Sequence, residues 1–506
     1  MSTTLYERFL EELSPRLPVL SASVILIVTA LFAQAFFKTD LLTGVPTVGK
    51  GSKGARRKQY ASGGAWELYE EGYRKFKDGI FRLTTACRSE SIVVASKYMA
   101  ELKKLPDDVL SFTGAANESL QTDYTHVDSN APALPHIVKT MLTPALVRLN
   151  PVISNEVVEA MTLELPQSGD WEEVDITAKL LRIVAMVSGR IFVGPELCRN
   201  EKYLDAAINY TVDVMVAVYM VGLVPLWLRP VLAPRLPYVK KVAQRVEEAD
   251  EFLRPLAKKR KEASRDSDAE APEDMLQWII NSQGDADDKD IAKLQLNVSM
   301  AAIHTTTLTT VNALYTLAAM PHLVPELQDD VRQAVAASEG EFGSSALQNM
   351  KKLDSFLKET MRCYPLNAAS FQRKVLKPFV LSNGQVIPAG VIVEVPAGSI
   401  AADSSIFENA GVFDHLRYYN LRQSKGNQKS GTKAAEVVAN SQFISVSESS
   451  LTFGYGRHAC PGRFFAANEI KMIMANILLH YEVKNPEGVT ERHKNIRNGS
   501  QVSKVP

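Results

Sequence analysis

Residues 453–466 read FGYGRHACPGRFFA and surround one cysteine, Cys460, with glycines, a proline and cations. A cysteine binds iron as a thiolate, and nearby cations, inward-pointing backbone N–H groups and a following helix N-terminus all favour that negative charge. Gly454, Gly456 and Gly462 permit turns with positive φ and the close approach of a flat ligand. The alternative is a buried structural cysteine, the commonest state of a free cysteine. The crowding of glycines and cations favours an iron ligand.

The same stretch resembles the haem-binding loop of the cytochrome P-450 superfamily, whose pattern is F-x-x-G-x-R-x-C-x-G. Phe453, Gly456, Cys460 and Gly462 match that pattern residue by residue, and His458 stands at its arginine position. The resemblance implies haem b with Cys460 as the axial thiolate of the iron, a ligand that pushes electron density toward a distal oxygen and favours O–O cleavage. It also implies that His458 reaches a haem propionate, with a charge that depends on pH near neutrality.

Toward the N-terminus, residues 294–325 contain no Asp, Glu, Lys or Arg. Many polar groups remain among them, so a membrane span is disfavoured and the pattern predicts one helix of about 45 Å over residues 290–320. Its middle, AAIHTT at 301–306, resembles the superfamily's oxygen-activation motif A/G-G-x-D/E-T-T/S. The resemblance implies that Ala301 leaves room for the cofactor and that the Thr305 hydroxyl positions water that delivers protons to dioxygen.

His304 occupies the position where this motif usually has an acid. A histidine titrates near neutrality, so one interpretation makes it a catalytic proton relay beside Thr305. A histidine in the middle of a helix can equally be a core residue whose ring is satisfied by hydrogen bonds. The sequence leaves both interpretations open.

Residues 351–364, KKLDSFLKETMRCY, predict a helix in which Glu359 and Arg362 share one face. An exposed pair of this kind would contribute under about 1 kcal/mol, and E-x-x-R alone is weak evidence. Its position ahead of FDHLR, which contains Arg417, and of the cysteine stretch matches the order of three motifs in the superfamily. The resemblance therefore implies a partly buried network of Glu359, Arg362 and Arg417 behind the haem, structural rather than catalytic, that braces the cysteine loop.

Three further residues are candidates for contact with the haem propionates. Arg373 follows LNAAS at 366–370, which in the superfamily lines the substrate pocket. His136 and Lys139 begin HIVKTMLTPALVRL, which resembles the helix where many members carry W-x-x-x-R, although that pattern is absent. Their i,i+3 spacing places them on one helix face, where they reach a propionate or form an ordinary solvated surface.

Other stretches predict strands, a lid and an insertion. Residues 80–95 alternate between apolar and polar positions, and Asn383-Gly384 between apolar runs predicts a hairpin turn. Residues 203–236 are apolar and rich in proline; in the superfamily this region is a lid over the substrate channel that dips toward lipid, and ordinary core packing is the alternative. Residues 424–449 are polar and predict a flexible insertion.

The charge pattern near the N-terminus predicts four segments. Residues 17–37 carry no charge and are long enough to cross about 30 Å of hydrocarbon, so they predict one transmembrane anchor. Basic residues concentrated after this run place 1–16 in the lumen of the endoplasmic reticulum, 38–64 as a linker and 65–506 as a cytosolic haem-thiolate catalytic domain. A cleaved signal peptide is the alternative, disfavoured by the acidic lead and the absence of an A-x-A site.

The composition excludes several classes of function. Lys+Arg and Asp+Glu number 57 each, so no net field favours nucleic acid. The four cysteines have no CxxC or paired spacing, which indicates a reducing compartment and argues against a zinc site. A hydrophobic content of 46% suits a folded core.

Together these patterns predict a mainly α protein with a small β region, the cytochrome P-450 fold, preceded by one transmembrane helix. The resemblance implies a monooxygenase that hydroxylates or epoxidises a lipophilic small molecule, using dioxygen and electrons from NADPH through a flavoprotein reductase. Arg457, Arg463 and Lys471 are predicted to attract an acidic reductase surface.

The motifs are most similar to those of fungal microsomal secondary-metabolite enzymes such as the ent-kaurene oxidase-like group, so a terpenoid or related metabolite is the expected substrate. Two alternatives remain. One is a haem-thiolate isomerase or dehydratase that needs no reductase, and the other is a non-catalytic haem-binding membrane protein. Thr305 at its expected position disfavours both.

Overall fold

The computed structural model describes residues 22–23, 26, 42, 44–127, 131–263, 271–283, 288–426 and 432–504. The chain divides into two compact units, Met1–Pro46 and Thr47–Pro506. The predicted lumenal segment 1–16 and most of the predicted anchor 17–37 lie outside the described residues, so both remain predictions.

Helices dominate the second unit, which confirms the mainly α prediction. The described α-helices are Lys53–Gln59, Ala65–Phe76, Met99–Leu102, Phe112–Ser119, Thr122–Thr125, Ala133–Ile137, Thr143–Glu164, Ile176–Phe192, Glu201–Leu223, Arg229–Leu232, Pro237–Ala263, Met275–Gln283, Asp288–Ala319, Val324–Ala336, Ser344–Asn349, Lys351–Cys363, Ala397–Ala401, Arg417–Gly426, Thr432–Asn440 and Arg463–His480.

The β region is small, as predicted. Its strands are β1 (Ile80–Leu83), β2 (Ser91–Val94), β3 (Leu110–Ser111), β4 (Ser370–Val375), β5 (Phe379–Val380), β6 (Val386–Ile387), β7 (Ile392–Val395), β8 (Ile496–Asn498) and β9 (Gln501–Lys504). One sheet has the order β1-β2-β7-β4-β3, and β5-β6 and β8-β9 are separate pairs. The predicted hairpin turn joins β5 to β6, with Gly384 at φ +83°.

The helix Asp288–Ala319, called the long helix from here on, crosses the core as its charge-free sequence predicts. It packs against Ile176–Phe192, Glu201–Leu223 and Pro237–Ala263. Thr307, Thr310 and Thr316 are satisfied locally, because each hydroxyl donates to the carbonyl four residues earlier, whereas the buried Thr306 hydroxyl has no hydrogen-bond partner among the described residues. A helix rich in hydroxyls can therefore lie in an apolar interior.

Among the described residues, the helix Glu201–Leu223 is the one whose length and apolar composition would suffice to cross a membrane. One of its faces packs on the core through Tyr210, Val214 and Val221. Other positions, including Met215 and Leu223, are exposed.

Two helices position the cysteine loop. The helix Lys351–Cys363, called the brace helix, is buried along most of its length. The helix Arg463–His480, called the cysteine helix, begins directly after the loop and has Gly462 as its N-cap. Between them, the predicted flexible insertion contains the helix Thr432–Asn440, which its polar composition did not indicate.

Candidate active site

Two glycines in the left-handed region shape the loop that presents Cys460. Gly454 has φ +75° and Gly456 has φ +71°, which other residues adopt only with strain. A single turn at Gly456–His458 follows, and the Cys460 N–H donates to the Phe453 carbonyl at 2.7 Å. These constraints hold the cysteine in a defined position just before the cysteine helix.

Cys460 is the exposed one of the four cysteines, all of which lie in the described part of the chain. Burial raises the pKa of Cys87 and Cys198 to about 11 and that of Cys363 to about 12, so these thiols are inert. Desolvation also raises the pKa of Cys460, but the backbone N–H groups at the start of the cysteine helix and the Arg463 charge act in the opposite direction. An accessible sulfur with these neighbours suits a metal ligand.

Ala301 and Thr305 are exposed although they lie in the middle of the long helix, between buried neighbours such as Ile303 and Thr306. Ala301 and Thr305 lie one turn apart on the same face of the helix. Because both are exposed while the rest of the helix is mostly buried, this face borders open space. The Thr305 hydroxyl donates to the Ala301 carbonyl at 2.8 Å. Its oxygen therefore remains free to accept a hydrogen bond from a group in that space.

His304 joins the long helix to a neighbouring helix. Its Nε2 lies 2.9 Å from the carbonyl oxygen of Ile208. A carbonyl only accepts, so this contact assigns the ring proton to Nε2. Burial lowers the pKa of His304, and the ring is therefore mostly neutral at pH 7. The contact matches the core-residue interpretation, and the proton relay remains a prediction.

The structure brings Glu359, Arg362 and Arg417 together in one ionic network. Arg362 donates to the two oxygens of Glu359 at 2.7 and 2.8 Å, and Arg417 Nε lies 3.1 Å from Glu359 Oε1. Arg362 also donates to the carbonyls of Ala401 and Ala410. Since Glu359 and Arg362 are buried and saturated with protein partners, the geometry supports a structural role.

Arg373 is a buried cation that has no carboxylate within ion-pair distance in the part of the chain that the structure describes. Its guanidinium lies over the rings of Phe371 and Phe112, 4.4 and 5.3 Å from their centroids, and donates to the Gln372 carbonyl. Burial lowers the pKa of Arg373 to about 10. An unpaired buried charge is costly, so this position suits a carboxylate supplied by a ligand.

His458, by contrast, has an acid beside it. Its Nε2 lies 2.9 Å from Asp107 Oδ1, and its ring stacks on Phe112. His458 lines one narrow cleft with Arg373 and Arg457, so the structure brings these three basic side chains together. The predicted propionate contact of His458 competes with Asp107. Sequence reasoning missed Asp107 and Phe112 because a partner 351 positions away leaves no local signal.

His136 and Lys139 are both exposed and lie in adjoining helical segments, Ala133–Ile137 and Val138–Leu142. Lys139 Nζ lies 3.4 Å from the carbonyl oxygen of Arg457, so it reaches the cysteine loop. His136 is exposed on its helix, so the propionate contact and the solvated surface both remain open predictions.

Lys471 is buried, and the prediction that it attracts a reductase is wrong. Its Nζ lies 2.6 Å from Asp354 Oδ1 and donates to the Leu347 carbonyl. A buried ammonium neutralised by an acid does not face a partner protein. Arg457 is exposed and Arg463 partly exposed, so these two remain candidates.

The residues fit a haem. Cys460 offers an accessible sulfur, the face with Ala301 and Thr305 borders open space, and Arg373 is a buried cation without an acid among the described residues. Thiolate for iron, space beside a buried helix and a cation for a carboxylate are what a haem with propionates requires. The site therefore defines a haem-thiolate protein.

Comparison with known proteins gives the family. Residues 135–506 match the cytochrome P450 family model. A cytochrome P450 monooxygenase of Stachybotrys chlorohalonatus is 42% identical over 416 residues, covering 81% of this chain and 86% of the relative. One of Annulohypoxylon truncatum is 34% identical over 483 residues, covering 94% and 93%. The chain belongs to the cytochrome P450 family and is an oxidoreductase of the monooxygenase kind.

Proposed function

We propose that this chain hydroxylates or epoxidises a lipophilic small molecule, a terpenoid or related fungal secondary metabolite, at the endoplasmic reticulum membrane with its catalytic domain in the cytosol. The observation that carries the proposal is the combination, in one chain, of an accessible Cys460 in a glycine-shaped loop and an accessible Thr305 on a buried helix. Similarity to fungal monooxygenases supports the reaction type.

Each site residue has a distinct task. When bound, haem supplies the redox chemistry by which one atom of dioxygen enters a C–H or C=C bond. Cys460 would hold the haem iron through its thiolate, and Arg373 would orient a propionate through a charge-assisted hydrogen bond. The Thr305 hydroxyl donates to the Ala301 carbonyl and accepts from a water, which it holds in place for proton delivery.

Exposed apolar side chains support a lipophilic substrate and a membrane surface. They gather at the end of Glu201–Leu223 and in the connection that follows, where Leu223 is 56% exposed, Trp227 78% and Val231 53%. Contiguous apolar surface of this kind is typical of contact with an apolar phase. The predicted anchor at 17–37 would hold such a surface at the bilayer.

Electrons are proposed to arrive from NADPH through a flavoprotein reductase. Arg457 and Arg463 lie beside the cysteine loop, and Arg463 donates to the Cys460 carbonyl at 2.9 Å. Charged docking surfaces mainly raise association rates, an effect that salt screens. Reductase kinetics should therefore slow as ionic strength rises, and insensitivity to salt would count against this docking face.

A spectrum of the reduced, carbon monoxide-bound protein tests the axial ligand. We expect a strongly red-shifted Soret band in the wild-type protein and its loss in Cys460→Ala. Cys87→Ala is the matched control, because Cys87 is a partly buried thiol outside the loop and should leave the band intact. A wild-type protein without the band would contradict the haem-thiolate assignment.

Turnover with candidate terpenoids tests the reaction. Consumption of NADPH and dioxygen in step with product supports a monooxygenase, whereas conversion without either would favour an isomerase or dehydratase. Thr305→Ala should release more hydrogen peroxide per NADPH consumed, because the water held for proton delivery is lost. Thr309→Ala, a buried threonine one turn further on, should leave the ratio unchanged.

A further inference from the structure

Lys358 is a buried lysine on the brace helix, with a side chain 2% exposed. Its Nζ donates to the Gln442 carbonyl at 2.8 Å and to the hydroxyls of Ser445 at 2.7 Å and Ser450 at 3.2 Å. The Ser445 carbonyl is a fourth, longer contact at 3.4 Å, so the amine is surrounded by neutral acceptors. All of them belong to the segment 442–450, which leads directly into the cysteine loop.

The charged groups around Lys358 have their own partners, and Asp354 also holds the same segment, because its Oδ2 accepts from the Phe443 N–H at 3.0 Å. Among the described residues, no carboxylate lies within ion-pair distance of its Nζ. Asp354, one turn earlier, is paired with Lys471 at 2.6 Å and with Arg422 at 3.0 Å. Tyr418 places its ring 5.1 Å from Nζ. Burial lowers the pKa of Lys358 to about 7, against the attraction of Asp354 and with the repulsion of Arg422.

The other charged residues nearby also have their own partners. Glu359 on the same helix is held by Arg362 and Arg417, and Glu448 in the segment itself accepts from the Tyr455 hydroxyl at 3.3 Å. Burying Lys358 therefore carries a desolvation cost, and all of its hydrogen bonds go to neutral oxygens of one segment. These hydrogen bonds attach that segment to the brace helix.

Apolar packing holds one end of the segment, where the buried Phe443 ring lies 6.0 Å from the Phe453 ring, but it leaves a gap at the other end. A cavity of about 40 Å³ lies between the brace helix and the chain entering the loop, lined by Lys358, Ser450, Leu451 and Thr452. Hydrogen bonds bridge the gap instead, from Lys358 and from the Ser370 hydroxyl to the Leu451 carbonyl at 2.9 Å.

We propose that Lys358 is a positioning residue for Cys460, which fixes the loop on its N-terminal side by tying the segment 442–450 to the brace helix. The cysteine helix fixes the other side, and the Glu359 network anchors a different part of the chain, around Ala401 and Ala410. The consequence for iron ligation rests on the proposed function. The attachment of segment 442–450 to the brace helix, called the tie, does not.

Hydrogen exchange of the protein as purified tests the tie. Lys358→Met keeps the length of the side chain and removes its hydrogen bonds, so amides in 442–450 should exchange about tenfold faster. Arg260→Met is the matched control, since it removes a buried cation paired with Asp274 on a distant helix. It should lower overall stability without selectively speeding exchange in 442–450. Unchanged exchange in Lys358→Met, or an equal change in Arg260→Met, would overturn the proposal.

The carbon monoxide spectrum tests the consequence for Cys460. Lys358→Met should convert part of the red-shifted Soret band to a blue-shifted one, and Ser445→Ala should do so to a smaller extent. The double variant should be worse than Lys358→Met by less than the full effect of Ser445→Ala, because the two changes share one contact while Ser445 also donates to the Asn440 and Gln442 carbonyls. Additive effects, or a wild-type band shape in Lys358→Met, would refute the positioning role. A wild-type protein lacking the red-shifted band would instead refute the proposed function. Hydrogen exchange in 442–450 would still test whether Lys358 attaches that segment to the brace helix.

Discussion

The Glu359 network and the Arg373 site are both buried and charged, but only the first is complete within the chain. Glu359 holds two guanidinium groups, while Arg373 has two aromatic rings, one carbonyl and no acid among the described residues. Leaving a buried charge unpaired is costly. The difference therefore separates charges that hold the fold together from a buried charge that suits the carboxylate of a ligand.

Breaking the Glu359 network should have the largest effect on the stability of the fold. Glu359→Gln leaves Arg362 and Arg417 without their acid, so we expect the free energy of unfolding to fall by about 3–5 kcal/mol. Denaturant titration measures it, with the exposed Glu251→Gln as control, expected to change stability by under about 0.5 kcal/mol. A loss below about 1 kcal/mol would make the network an ordinary surface pair.

Replacing Arg373 should preserve or raise the stability of the haem-free protein, whereas breaking the Glu359 network lowers it. Arg373→Met eliminates an unpaired buried charge, so the haem-free protein should unfold at an equal or higher temperature than the haem-free wild type. The loaded variant should release haem about tenfold faster, because a propionate loses its charge-assisted hydrogen bond. Transfer of haem to an acceptor protein measures the release. Lower stability with unchanged release would show that Arg373 belongs with the structural charges.

Glu469 is a third kind of buried ionisable group, one that stays neutral in the folded protein. The Ser188 hydroxyl lies 3.0 Å from its Oε1, and burial raises the pKa of Glu469 to about 8. The folded carboxyl stays protonated where the unfolded one ionises, near pH 4.5. Its stabilising contribution is therefore complete below pH 4.5 and is lost as pH rises through 8, by up to about 1.4 kcal/mol per pH unit.

Glu469→Gln should remove this dependence. Denaturant titrations of both proteins between pH 5 and 8 should show a wild-type stability that declines relative to the variant as pH rises. Parallel profiles would mean that Glu469 is ionised in the folded protein.

Replacing His304 should have the smallest effect. His304→Ala loses one hydrogen bond to the Ile208 carbonyl, worth about 1 kcal/mol of stability. Hydrogen peroxide released per NADPH should stay at the wild-type ratio, as it should in the exposed control His322→Ala. A raised ratio in His304→Ala alone would establish the proton relay.

Much of the site could be predicted from local patterns. The cysteine loop depends on glycines at positions of positive φ, and those glycines are visible in the sequence. The long helix follows from its charge-free run, and Glu359 and Arg362 share a face by spacing alone. The helix Thr432–Asn440 was missed because polar composition hides its periodicity.

The sequence by itself determined the candidate ligand cysteine, the candidate threonine of the long helix and the family, because each is a short pattern with a defined local geometry. Only the tertiary structure decided how the charges are partnered: His458 with Asp107, Lys471 with Asp354, Lys358 with neutral oxygens, and Arg373 with no acid among the described residues. The physical reason is that these partners come from distant parts of the chain. The cost of each charge depends on burial, which the whole fold sets.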